Sequence, residues 1–313
     1  MNSYKNILVV ADVNNVEQSA LARAFQIVQD LPDPAPITFF LSIYDFSYDM
    51  TSMLSSEERD AMRRGVIQQR EEWMKEVAQP YLNNGVEFNI KVVWHHRPYE
   101  AIIGEVFSGD HDIVLKATRK HDALESVFFT PTDWHLLRKC PCPVLLVKNH
   151  DWPVNGNIIA SVHVGSENTT HTALNESMVN QGLKFSKQLN AELFLVNSYP
   201  VTPANITVEL PEFDPTSYSD AVRGFHLTAM KALRQKYGID EEHTRVIEGL
   251  PEDVIPKTAK EIDAGLVILG TTGRTGLSAV FIGNTAENVI DKINCDVLAL
   301  KPEGFISPLD PNS

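Results

Sequence analysis

Cysteine is scarce in this chain: Cys140, Cys142 and Cys295 are the three among 313 residues. So few, and an odd number, exclude a disulfide framework and point to reduced thiols. Long apolar runs are missing as well. None approaches the ~20 residues needed to cross a bilayer, so no membrane partner is expected. The amino terminus, MNSYKNILVVAD, enters a strand-like run at once and lacks the length and cleavage region of a secretory signal. A cytoplasmic location is the expectation. Basic residues are in deficit, with 27 Lys and Arg against 41 Asp and Glu and a formal charge of −14. That balance disfavours broad contact with nucleic acid or anionic lipid. Metal-ligand spacing is absent too: Cys140-Pro-Cys142 has no second pair, and His95, His96, His111 and His121 show no matching pattern. Ser161-Val162-His163 forms no nucleophile elbow. Asp45, Asp49, Glu57 and Glu58 read as loop and cap residues. Neither a metal site nor a catalytic residue is expected.

What the chain does have is a repeat. Its length predicts two cores rather than one, and its halves align with each other. At one constant offset Ala20-Leu21 meets Ala173-Leu174, Pro98 meets Pro251, and Val127-Phe128 meets Val280-Phe281. CPVLLVK (142–148) meets CDVLALK (295–301), and the register holds without a gap from Pro98 to Lys148. Chance apolar similarity does not keep step that long, so the chain reads as a duplication. The expected domains are 1–150 and 156–305, joined through the loop chemistry of NHDWPVNGN.

Both halves alternate short apolar strands with helices. The first offers strands NILVVAD, ITFFLSIY, EFNIKVVW, DIVLKA and VLLVK, with helices from about Gln18, Ser55 and Pro98 and a short one before the last strand. Ser55 and Glu58 predict a capping box. Met62, Val66, Trp73, Val77 and Tyr81 recur at helical spacing and are expected to face the sheet. The second half predicts strands near 158–164, 192–199, 243–248, 266–270 and 297–301, and a long helix from about Ser217 that stops at Gly238. Such alternation implies an α/β fold, a parallel sheet covered on both faces. The proline-rich 200–216 reads as a long loop over the second sheet.

The halves differ most sharply in one loop. After the strand LVIL the second half carries Gly270, Gly273 and Gly276, then Gly283-Asn284-Thr285 at a helix start. Glycine lets backbone approach a ligand closely, and free amides at a helix start favour an anion. The first half has Ala117, Lys120, Ala123 and Thr130 at the glycine positions and Pro131 at that of Asn284. Proline removes one donor there. Phosphate binding of this kind is therefore expected in the second half and not in the first.

The pattern Gly270-x2-Gly273-x9-Gly283, followed by NTAENVI and a last strand ending in Lys301, resembles the nucleotide loop of the universal stress protein family. The likeness covers both halves. It implies two tandem flavodoxin-like, adenine nucleotide alpha hydrolase-like domains, each a five-stranded parallel sheet of order 3-2-1-4-5 flanked by helices. It also implies ATP, with Mg²⁺, as a ligand of the second half, held by Gly270, Thr272, Gly273, Gly283, Asn284 and Thr285 at phosphates and ribose. His163, Val164 and Ser198 would lie near ribose and adenine. Two positions depart from the family: Asn284 replaces a Ser or Thr, and His163 replaces an acidic residue that the first half keeps as Asp12. The implied role is a ligand-responsive stress-resistance factor, compatible with slow ATP hydrolysis but not a high-turnover enzyme. No SGGxDS-type loop follows either first strand, in ADVNN or SVHVGSEN. The alternative is a carrier or sensor of an apolar or mixed small ligand that binds no ATP. The resemblance further implies an internal pseudo-dimer through strands 144–148 and 297–301, with a homodimer of two such chains left open.

Overall fold

The computed structural model describes residues 4–28, 31–48, 55–82, 85–121, 124–148, 150, 152, 155–166, 168–201, 214–271 and 284–312; the side chains of 48, 119–128, 284 and 285 are outside this set. The chain divides into two compact units, the first built on Met1–Asn149 with Ile306–Ser313, the second on His150–Leu277 with Phe281–Phe305.

In the first unit β1 (Ile7–Val10), β2 (Ile37–Ile43), β3 (Phe88–Trp94), β4 (Ile113–Ala117) and β7 (Val144–Val147) form a parallel sheet. β1 pairs with β2 and β4, β2 with β3, and β4 with β7. The order along the sheet is thus β3-β2-β1-β4-β7, the expected 3-2-1-4-5. Helices α1 (Ser19–Val28), α2 (Ser56–Ala78), α3 (Pro98–Ser108) and α4 (Pro131–Lys139) are the crossovers. A short antiparallel pair, β5 (Arg119–His121) with β6 (Leu124–Phe128), fills the loop before α4. The sequence pattern predicts only a helix there; Val127 and Phe128 belong to a hairpin because β-branched and aromatic side chains suit an extended chain.

The second unit repeats the plan. β8 (Asn157–Ser161), β9 (Glu192–Tyr199), β10 (Thr244–Glu248), β11 (Ala264–Gly270) and β12 (Asp296–Leu300) are its strands. All pairings are parallel, in the order β10-β9-β8-β11-β12. Helices α5 (Thr169–Leu189), α6 (Pro215–Tyr237), α7 (Pro251–Glu261) and α8 (Asn284–Lys292) connect them. Gly238 ends α6 with φ +67°, the left-handed conformation that glycine adopts without a Cβ clash.

The core reads as a parallel sheet should. Ile7, Leu8, Ile113, Val114, Leu115, Ile159, Val267 and Ile268 are shut off from water because helices cover both faces. The capping box at Ser55 and Glu58 is present. The apolar face of α2 is shorter than its sequence suggests. Met74 and Ala78 are buried, whereas Met62 is 42% exposed. A helix of 23 residues is about 35 Å long, but the seven residues of β3 cover about 23 Å. The first turns of α2 therefore overhang the sheet.

Candidate functional site

In an open parallel sheet, ligands favour the crevice beyond the carboxyl ends of strands where the order reverses. In the second unit that point lies between β8 and β11, whose chains continue in opposite directions across the sheet. The segment after β8 is held there by two buried asparagines. Asn175 on α5 uses both ends of its amide: Oδ1 accepts from the His163 N–H (2.9 Å) and Nδ2 donates to the His163 carbonyl (3.0 Å). Asn197 on β9 accepts the Val164 N–H at its Oδ1 (3.1 Å). Its Nδ2 therefore faces His226 Nδ1 at 3.1 Å, and that ring nitrogen must be the acceptor.

This fixes His226 as a neutral imidazole with its proton on Nε2. The ring is buried, stacks on Tyr199 at 5.1 Å between centroids, and lies against Gly165. A Cβ at Gly165 would come 2.2 Å from His226 Cε1, so only glycine fits there. Burial holds His226 below the ordinary imidazole range. His163 is depressed as well, by burial first and then by His171 and His226. It is nevertheless exposed as a residue. His171 on α5 stands edge-on to it at 5.6 Å and takes Ser166 Oγ at its Nδ1 (2.9 Å).

At the end of β11, Thr271 is buried, and both its N–H and its hydroxyl donate to the Leu300 carbonyl, at 2.8 and 2.9 Å. This ties the root of the glycine loop to the last strand. Thr118 does the same with Val147 in the first unit, at 2.8 and 3.2 Å. Gly270 has a packing reason to be glycine, since a Cβ would meet Leu174 Cδ2 of α5 at 2.4 Å.

His163, Val164 and Ser198 thus come together at the carboxyl ends of β8 and β9, beside Gly270 at the end of β11. Asn284 and Thr285 are the first residues of α8. Thr272, Gly273 and Gly283 lie outside the described residues. Sequence reasoning missed Asn175, Asn197, His226 and Thr271. Signals existed: an asparagine inside the apolar FLVNSY, and a threonine recurring at the repeat offset in Thr118 and Thr271.

The first unit differs at the same place. Strand register makes Ile7 and Ile158 equivalent, because they face Ile113 and Leu266, and so puts Asp12 where His163 stands. Asp12 is enclosed by its own loop: Oδ1 accepts from Asn14 N (3.0 Å) and Oδ2 from Asn15 Nδ2 (2.6 Å). At the start of α4 the protein supplies its own anion. The fully buried Asp133 accepts from Thr130 N (2.6 Å) and Thr130 Oγ1 (2.8 Å), and pairs with Lys116 Nζ at 2.6 Å. The counterparts of Lys116 and Asp133 in the second unit are Leu269 and Ala286, which form no such pair. Elsewhere, Cys140 and Cys142 are buried thiols whose sulfurs lie 3.6 Å apart, and Cys295 is buried. Asp240, Glu242 and His243 gather side-chain donors at the surface before β10, away from the crevice. No described helix is long and apolar enough to cross a membrane.

The sequence matches the Universal stress protein family over residues 3–148 and 169–301. Universal stress protein E of Escherichia coli (strain K12) is 56% identical over 311 residues, covering 99% of this chain and 98% of its own. The Universal stress protein E homolog of Haemophilus influenzae is 46% identical over 96% of this chain and 98% of its own. Among solved structures, a Pseudomonas aeruginosa PAO1 protein covers 98% of this chain and 96% of its own at 27% identity and TM-score 0.75. A universal stress protein from Archaeoglobus fulgidus has the same fold at 16% identity and TM-score 0.66, over 95% and 98% of the two chains. Two copies of one sheet order, a family match to each half, and end-to-end relatives agree: the chain belongs to the universal stress protein family.

Proposed function

We propose that this protein is a ligand-responsive stress-resistance factor of the cytoplasm, and that its second unit, residues 156–305, binds an adenine nucleotide such as ATP with its Mg²⁺. The first unit, residues 1–150, keeps the fold without the phosphate site. The observation that carries this reading is the contrast between the two helix starts. In the first unit the buried Asp133 carboxylate takes up the donors of Thr130 and the charge of Lys116. In the second unit Leu269 and Ala286 supply neither group, and the sequence keeps Gly270, Gly273 and Gly283. An external anion is the natural complement of such a helix start. Thr272, Gly273, Gly283, Asn284 and Thr285 would hold phosphates and ribose, with His163, Val164 and Ser198 near ribose and adenine. The role is binding and regulation rather than turnover. Calorimetric titration with MgATP tests it: the wild-type chain should bind, and Gly283→Val should abolish binding. Equal affinity in the two would remove the glycine loop from the site.

One observation favours the second reading, a carrier or sensor of a more apolar ligand in the first unit. Tyr44 and Phe46, 41% and 61% exposed, follow β2, and Tyr44 meets the rings of Trp94 and His96 at the end of β3, each at 6.0 Å. Mass spectrometry of natively purified protein separates the two readings by what the chain carries.

The proposal includes pairing of the last strands, 144–148 with 297–301, as an internal pseudo-dimer. Both are apolar, as a covered edge requires. Slow amide exchange in both segments is the expected outcome in the intact chain, and fast exchange in either would exclude the pairing.

A further inference from the structure

Resting on the nucleotide reading of the second unit, we infer a narrower ligand class: a nucleotide whose ribose carries a second anionic group, received by His163 together with His171. The strand register sets the Asp12 carboxylate and the His163 imidazole at equivalent positions of the two crevices. These groups have opposite chemistry. A carboxylate at the end of a strand accepts hydrogen bonds from a ribose diol and repels phosphate, whereas a cationic donor there accommodates a ribose phosphate. Asp12 is already surrounded by donors from Asn14 and Asn15.

His163 is the reverse case. It is exposed, and among the described residues none hydrogen-bonds either of its ring nitrogens. Its main chain is clamped on both sides by Asn175, so the ring starts from a fixed base. A second imidazole, His171 of α5, stands 5.6 Å away and is oriented by Ser166. The titratable groups acting on His163 from the packed elements are His171 on α5 and His226 on α6. No carboxylate among the described residues acts on it. Two imidazoles with no counter-anion among the described residues favour a dianion over a diol. A phosphate at the exposed edge of the pair would favour the charged form of His163 and gain charge-assisted hydrogen bonds. Binding then takes up protons, and its advantage grows as pH falls.

The test is calorimetric titration of the intact chain with AMP, adenosine 2′,5′-bisphosphate, adenosine 3′,5′-bisphosphate and inorganic phosphate, at pH 6 and pH 8. One of the bisphosphates should bind roughly tenfold or more tighter than AMP at pH 6, with the gap narrowing at pH 8. His163→Asp should reverse the order. His163→Gln, which keeps a polar side chain without a titrating proton, should bind the bisphosphate with a weaker pH dependence than wild type, His171 being left in place. If AMP binds as tightly as both bisphosphates, this inference fails while the nucleotide reading stands. An undiminished bisphosphate advantage in His163→Asp also overturns it, because the gain would then come from elsewhere. If no nucleotide binds, the nucleotide reading fails and this inference with it.

Discussion

Gly165 and His226 show how closely the crevice of the second unit is built. The glycine leaves no space for a methyl group, since the nearest atom of the imidazole would be 2.2 Å away. His226 cannot yield by rotation, because Asn197 bonds its Nδ1 and Tyr199 stacks on its face. Gly165→Ala should therefore destabilise the protein by about 1–3 kcal/mol, the usual cost of overpacking. Urea unfolding measures it. Adding His226→Ala removes the obstacle, so the double variant should cost less than the sum of the two singles. Additive costs would mean that these residues do not meet. The sequence shows Gly165 as an ordinary loop glycine. Its reason lies 61 positions along the chain, at a residue that only folding brings near.

At the scale of elements, the two helix starts after β4 and β11 differ in chemistry, and the proposed nucleotide binding rests on that difference. α4 begins with a complete capping box in which Asp133 also meets Lys116. Asp133→Ala strips the cap and leaves the Lys116 ammonium largely buried without its partner. Losing one member of a buried pair costs about 3–5 kcal/mol. The double variant Lys116→Leu, Asp133→Ala installs the residues that the second unit carries at Leu269 and Ala286. It should recover most of that loss, because an apolar pair of similar volume replaces a buried ion pair at little cost. Midpoints of chemical unfolding for the three variants decide this, and a double variant as unstable as Asp133→Ala would refute it. The helices and strands themselves were legible from period and caps: β9 spans the predicted 192–199, α3 and α7 open at Pro98 and Pro251, and α6 stops at Gly238. The β5–β6 hairpin was not legible, since a short apolar run serves helix and strand equally. Nor was the Lys116–Asp133 pair, which joins a strand to a helix.

For the whole molecule the clearest expectation is acid sensitivity. His226 and His163 in the second unit, and His111 and His135 in the first, are all held below the ordinary imidazole range with burial as the leading cause. Folded chains therefore keep these rings neutral at pH values where unfolded chains protonate them. With more protons on the unfolded state, stability rises with pH. The contribution is fully present above the unfolded imidazole value of about 6.5 and is lost as pH falls through the lower folded values. Hydrogen bonds from Ser55 and Ser217 likewise depress the carboxyls of Glu58 and Asp214, which adds a loss of the same sign nearer pH 4. The urea midpoint should be lower at pH 5.5 than at pH 7.5. Equal midpoints would mean that the four imidazoles titrate as they do in an unfolded chain.

The sequence by itself determined the duplication, the α/β alternation and the loss of the glycine loop from the first half. Each of these is written in local period, in recurrence at one offset, or in a residue type that a turn demands. Tertiary structure alone decided what fills the space those features leave. Asp133 serves as the first unit's own anion, Asn175 and Asn197 clamp the segment after β8, and His163 takes the register position that Asp12 has in the first unit, with a second imidazole beside it. The physical reason is range. Periodicity and caps act within a few residues, whereas a buried charge or amide is satisfied by whichever partner the folded backbone brings within about 3 Å.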